Sequence, residues 1–430
     1  MSSVISSSGI FDFEGKRAKV KGVVYFLLLT ALLALPFSVE LQITKTLRWN
    51  FPLELLVPVA ALAVIIAIIS SRNEFRWTFS DVAVILFLIA AAVSTAFSRI
   101  PVISVKALVV LTSYATAFYF GFRFLNLNPS RWRLAWRVLM VSFSLLMLYT
   151  LVRYFHLGVH RQHSYGMSLP FVPGHTLLVA VGFPAFLFSL NELLRKENLK
   201  FNIPFAALFV FTAAISYSRV YWVILLLFAF VLVFYYFKKI RVAMMVSAVI
   251  IIAAGSIVYH QIDAKRDRER TWDDPDDHNS LFVQIQSIFV WRKNESNIER
   301  SNRWQAAKEI FKLHPVTGSG LNTYPEIYFW YKDRAVISET NLSCNRMNAH
   351  QLYIGWLSDM GITGFAAGII LMLSFLTSAS RLRGTPHFVP ALLLFMNFAV
   401  LGIIEDFTTL EKIMSVFWVS LAYVQQLNSR

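Results

Sequence analysis

Of the 430 residues, 57% are hydrophobic and only 15% are charged, and the mean hydropathy is +0.56. A soluble globular domain has no use for that much apolar surface, so the chain reads as a multi-span membrane protein. The formal net charge is +15; with no compact basic domain or nucleic-acid motif, it sets nucleic acid aside and points to positive-inside topology, contact with anionic membrane lipids, or an anionic substrate such as a diphosphate.

The first 22 residues are polar and lack a cleavable-signal pattern, so the first span is expected to serve as its own anchor. A helix needs about 20 apolar residues to cross the hydrocarbon core. On that measure about twelve spans are predicted, at 23–39, 52–70, 80–97, 104–122, 134–155, 170–190, 203–217, 220–237, 242–260, 350–376, 387–404 and 408–426. The seventh and eighth are joined by a tight turn at Ser216–Arg219 and could be taken for one long helix. The expected fold is all-α and polytopic: nine helices in 1–260, a loop of short helices over 261–349, and three helices in 350–430. The single cysteine, Cys344, rules out an intramolecular disulfide and a cysteine-based metal site.

Lys and Arg concentrate in alternate loops, at Lys16–Lys21, Arg72–Arg76, Arg123–Arg137, Arg195–Lys200, Lys238–Arg241 and Arg381–Arg383. By the positive-inside rule both termini are cytoplasmic and the long loop lies outside. That loop is too short and broken for an enzyme domain of its own but long enough to cap the bundle. It holds a charged run, 263–279, and a moderately apolar stretch, 280–291, suited to lying in the interface. Ser301 and Asn302 are expected to cap a helix through Leu313, with Trp304, Ala307 and Phe311 on one face. Pro315 and the Gly318-Ser319-Gly320 turn end it.

Charges at membrane level are costly, so each needs a reason. On this topology Arg161, His163, His175, Arg219, Arg303, His350, Glu405 and Asp406 all fall at the outer face. An imidazole such as His350 can take a proton from a sugar hydroxyl at physiological pH, and a helix N-terminus disfavours its charged form; interface anchoring is the competing reading. Arg219, between two apolar spans, suits bidentate capture of phosphate, against plain snorkelling. Arg303 alone would pass for a solvated loop residue. Glu405 and Asp406 either orient a cation or form the turn, and the aromatic cluster 328–331 either stacks on sugars or anchors in the interface. The histidines at 156, 160, 163 and 175 lack the carboxylates and spacing of a zinc site, and the acidic run 273–277 lacks the spacing and Gly of a calcium loop. No P-loop, nucleophile elbow or dinucleotide fingerprint is present.

The order Arg303, His314-Pro315, Gly318-x-Gly320, His350-Gln351-Leu352-Tyr353-Ile354, Gly361-Ile362-Thr363-Gly364 resembles the signature region of the O-antigen ligase and polymerase superfamily. Ser218-Arg219 looks like the family's upstream Arg motif, and Gln351 stands where members commonly have Asn. The resemblance implies a GT-C type, inverting, metal-independent glycosyltransferase with no cofactor. Its donor would be a glycan on undecaprenyl diphosphate, used at the periplasmic face of the bacterial inner membrane. In a ligase the acceptor would be a sugar of lipid A–core. By the same resemblance His350 would activate the acceptor hydroxyl, and Arg219 and Arg303 would hold the diphosphate. Arg161 would join them at the diphosphate, and His175, Gln351, Glu405 and Asp406 would be weaker contacts of the same pocket. A polymerase joining lipid-linked repeats is the first alternative. A lipid-linked glycan flippase is the second, although it calls for polar groups through the mid-bilayer, whereas here they gather at one face.

Overall fold

The computed structural model describes residues 18–44, 48–70, 76–159, 161–236, 295–333 and 347–428. The ninth predicted span, the acidic run 273–277, the apolar stretch 280–291 and Cys344 lie outside the described residues. The other predicted spans each coincide with a helix: α1 (Ala18–Ala34), α2 (Leu53–Ser70), α3 (Phe79–Ala96), α4 (Pro101–Tyr114), α6 (Pro129–Leu157), α7 (His175–Leu194), α8 (Leu199–Ile215), α9 (Arg219–Tyr236), α12 (Leu352–Ser380), α13 (Phe388–Ile404) and α14 (Glu411–Leu427). After α4 the chain runs through a π-helical segment, Ala115–Gly121, into the short α5 (Phe122–Leu125). Loop helices α10 (Glu295–Leu313) and α11 (Tyr324–Tyr331) complete the helices among the described residues.

Seven of the described helices are long and apolar enough to cross a membrane; α8, α13 and Ile224–Tyr235 within α9 are apolar but shorter. The protein is thus an all-α polytopic membrane protein, and among the described residues this length criterion finds seven of the expected twelve or so spans. The tight turn at 216–218 does separate two helices. Sequence reasoning missed a small antiparallel hairpin between α1 and α2, β1 (Val39–Gln42) and β2 (Arg48–Phe51), closed by an Arg48–Glu40 ion pair at 2.7 Å. Its strands are too short to show a clear alternation.

The spanning helices are apolar on both their buried and their lipid-facing sides. On α2, Val57, Ala60, Val64 and Ala67 are buried, while Leu55, Val59, Leu62, Ile66 and Ile69 are exposed on the other side. Lipid tails are as apolar as leucine, so helix association here rests on close packing and polar contacts rather than on expulsion of water. The most extensive helix pair, α3 with α12, shows this. The face of α3 carries Ser80, Ala83, Phe87, Ala91 and Ser94, small residues at helical spacing around one aromatic. Ser80 Oγ lies 3.1 Å from Ser378 Oγ, Phe87 meets Trp356 edge-on at 5.4 Å, and Ser94 Oγ donates to the Asp359 carbonyl at 2.7 Å. The two helices are therefore antiparallel and zipped along their length.

Helix directions gather the hairpin, the α3–α4 and α8–α9 turns, the start of α7, the start of α12 and the α13–α14 turn at one end of the bundle.

Candidate active site

α12 is broken at Gly361, whose φ of 65° and ψ of −161° leave the helical region. The turn after α10 fits into this break. Ile362 N donates to the Pro315 carbonyl at 2.8 Å and Thr363 N to that of Val316 at 3.3 Å. In return Ser319 N donates to the Ser358 carbonyl at 2.9 Å and Gly320 N to that of Asp359 at 3.0 Å. The backbone groups freed by the break are thus satisfied by the turn. Gly318 (φ 70°) has no room for a side chain, since a Cβ there would collide with the Asp359 carbonyl group. The glycines of the motif are joinery between loop and helix.

Asp359 holds the other side of the joint. Its Oδ1 accepts the Tyr324 N–H at 2.8 Å, and its carboxyl also takes amides at Asn322 and Thr323, so it caps α11. The sequence signal was there: a carboxylate inside an apolar run costs too much to be idle. Sequence reasoning passed over it.

Against this frame lies a cavity of about 660 Å³. It brings together His175, Arg303, His350, Glu405 and Asp406 from the predicted set. His350 sits two residues before α12 in the left-handed region, at φ 54°, a conformation a residue with a Cβ adopts at some cost. Its backbone N–H is held by Asn348 Oδ1 at 3.2 Å. The ring Nδ1 faces Glu405 Oε2 at 2.9 Å and the Ile404 carbonyl at 3.0 Å. Two acceptors on one nitrogen fix it as the N–H donor, so in the neutral ring the lone pair is on Nε2. Among the described residues Nε2 makes no hydrogen bond, and the ring is partly open to the cavity, with 29% of its side chain exposed.

The question left open for Glu405 and Asp406 has a separate answer for each. Glu405 orients His350, and Asn348 Nδ2 holds its other oxygen at 3.1 Å. Burial pushes the Glu405 carboxyl up, but His350, Asn348 and Arg300 outweigh it and hold it below the ordinary range. Asp406 forms the turn: its Oδ1 accepts from Thr408 Oγ1 at 2.7 Å and from Thr408 N at 3.2 Å. Burial pushes its carboxyl up to about 7 against the Thr408 bonds, with the neighbouring Glu405 charge adding to the rise. Asp406 also packs so closely on Gly355 that a Cβ there would strike its Oδ2.

Arg303 lies on α10 and is buried. The helix begins at Glu295, so Ser301 and Asn302 are inside it and cap nothing, contrary to expectation. Asn302 instead exchanges hydrogen bonds with the backbone of Asp333, at 2.7 and 3.2 Å. Arg303 pairs with Glu299 at 3.7 Å, which is longer than the Arg48–Glu40 pair or the 3.0 Å Lys106–Glu54 pair at the same cavity. Tyr328 is a second partner of its side chain. Arg300, one turn earlier on α10, went unnoticed in the sequence because a charged loop helix hides a single Arg.

His175 starts α7, lines the cavity and meets Tyr165 edge-on at 4.4 Å. His163 does not join it; its Nδ1 lies 2.7 Å from the Gly158 carbonyl. Gln351 precedes the first turn of α12 and does not line the cavity. Arg161 starts a 3₁₀ turn and Arg219 starts α9, and the side chains of both lie outside the described residues. The turn before Arg219 is next to the cavity, because Ser218 Oγ lies 3.1 Å from Oγ1 of the cavity residue Thr176. The aromatic cluster on α11 does not line the cavity either: Tyr328 is buried, while Trp330 is 71% exposed.

The far wall is a polar cluster absent from the sequence expectation. Asn50 Nδ2 donates to Glu411 Oε1 at 2.8 Å, Tyr114 OH to Glu411 Oε2 at 2.6 Å, and Lys106 Nζ pairs with Glu54. Its members come from β2, α2, α4 and α14, and each looks unremarkable in its own stretch.

Residues 204–369 match a family model described as O-Antigen ligase. No curated protein matches the chain. The matched region holds Arg303, His350 and the glycines of the joint, and the match implies a membrane ligase or polymerase of the kind that acts on lipid-linked glycans. Over residues 204–369 the chain is thus similar to the O-antigen ligase family.

Proposed function

We propose that the protein is an O-antigen ligase, which moves a glycan from undecaprenyl diphosphate to a sugar of lipid A–core at the periplasmic face of the inner membrane. The observation that carries this reading is the His350–Glu405 pair opening on a cavity beside Arg303, at one end of a membrane bundle. Nε2 of His350 takes the proton of the acceptor hydroxyl. The freed oxygen attacks the anomeric carbon from the face opposite the diphosphate, and the bond from that carbon to the diphosphate oxygen breaks. Glu405 stabilises the imidazolium formed in the step, as an orienting carboxylate does in a catalytic triad. Arg303 receives the charge that develops on the leaving diphosphate, and Arg219 and Arg161 are proposed to share it. A lipid diphosphate is already a good leaving group, so proton removal and positioning suffice.

The test is transfer by purified protein from lipid-linked glycan to lipid A–core, with a second lipid-linked repeat offered as rival acceptor. Transfer to lipid A–core is expected, and His350→Ala is expected to reduce it by about 10²–10⁴-fold. Elongation of the repeat with untouched core would make the protein a polymerase. Full transfer by His350→Ala would remove the base from the reading.

A further inference from the structure

α7 leaves the cavity at His175 and reaches the opposite end of the bundle at Leu194, where the chain turns into α8. There a second cavity, of about 750 Å³, opens between α1, α6 and the start of α8. Leu33, Leu134, Val141 and Phe201 give it apolar walls, and Arg137 and Lys200 are its cations. The walls run away from the cations and towards the bilayer interior. Ser142 Oγ donates to the Leu33 carbonyl, and Ser142 stands about 7 Å beyond Arg137 along α6. Leu33 and Val141 are exposed, at 47% and 43%, so the groove faces lipid.

The two cations are the unusual part. Arg137 Nε is buried without a hydrogen bond, and its guanidinium lies over the Phe201 ring at 5.9 Å. Among the described residues neither Arg137 nor Lys200 has an ion pair. The acids nearest in sequence are taken: Glu192 pairs with Arg133 at 2.8 Å and Glu197 with Arg133 at 2.9 Å. A guanidinium kept at the edge of the hydrocarbon needs an anion, and the apolar groove above it needs a hydrocarbon chain. One class of molecule joins the two.

We propose that this groove binds an anionic glycerophospholipid of the leaflet opposite the active site, with its phosphate between Arg137 and Lys200 and one acyl chain along Leu33 and Val141. A free phosphate would leave the walls bare, and a zwitterionic lipid would set an ammonium group beside the two cations.

The full chain in detergent, mixed with equal amounts of phosphatidylglycerol and phosphatidylcholine of the same chain length, tests this by native mass spectrometry. Each basic residue at a membrane surface favours an anionic lipid by about fivefold, so the two together predict roughly 30-fold preferential retention of phosphatidylglycerol. Arg137→Gln with Lys200→Gln should bring the ratio close to one, and Val141→Trp should lower retention of both lipids. Lys200 is exposed, so Lys200→Gln alone serves if the double variant does not fold; it should cut the ratio about fivefold. Equal retention by the wild type, an unchanged ratio in the variants, or displacement of phosphatidylglycerol by equimolar undecaprenyl phosphate would overturn the proposal.

Discussion

The chemistry of this cavity turns on which atom of His350 is free. With Nδ1 committed to Glu405 and the Ile404 carbonyl, the reactive position is Nε2, and Glu405 matters through the ring it orients. Glu405→Gln keeps the shape and an acceptor but removes the charge that stabilises the imidazolium. It should lower kcat by about 10²-fold or more and leave KM nearly unchanged, as steady-state transfer assays would show. Asp406 gives a pH signature of its own. Its carboxyl is raised to about 7 in the folded protein, from an ordinary value of 3.8. The folded state therefore holds this proton where the unfolded state has lost it. The stabilisation is complete below the ordinary value and is lost as pH rises towards 7. Asp406→Asn should remove that loss: its melting temperature relative to wild type should climb between pH 4 and 7 and level off above, as thermal scans in detergent would show.

At the scale of elements, the joint between the Gly turn and the broken α12 sets the positions of Asp359 and α11, and with them one wall of the cavity. Gly318→Ala would drive a methyl group into the Asp359 backbone at a positive φ, so a loss of stability exceeding about 1 kcal/mol is expected in denaturation, together with reduced transfer. The motif order was legible because Gly and Pro mark turns locally. That the turn docks onto a kink 40 residues later was not, because no local signal records a pairing between distant backbone segments. The same reason hid the Asn50–Glu411–Tyr114 cluster, whose partners come from opposite ends of the chain, whereas the hairpin was hidden because its four-residue strands are too short to alternate. The helices themselves were read well, since about 20 apolar residues in lipid have few other options. The start of α10 was misplaced because Ser301-Asn302 has the composition of a cap without the position of one.

At the scale of the molecule, polar groups occur at both ends of the bundle but do different work. At the end opposite the cavity Asp81 is fully buried, paired with Arg123 at 3.1 Å and bonded by Tyr119 OH at 2.7 Å, and it closes a capping box with Thr78. Asp81→Asn leaves a buried guanidinium without its counter-charge and should cost about 3–5 kcal/mol. The double change Asp81→Asn with Arg123→Met should recover much of that, and chemical unfolding in mixed micelles would compare the two. At the cavity end the arrangement of His350 has a consequence for the whole cycle of the proposed reaction. A proton captured at Nε2 is not passed on through Nδ1, because Glu405, which faces that nitrogen, is held below the ordinary carboxylate range and is too weak a base to take it. It must return to the cavity, where the departing diphosphate is the base at hand. Product departure and resetting of the catalyst are then a single event. Turnover needs no proton wire across the bilayer, and its rate should be the same whether the membrane is energised or not.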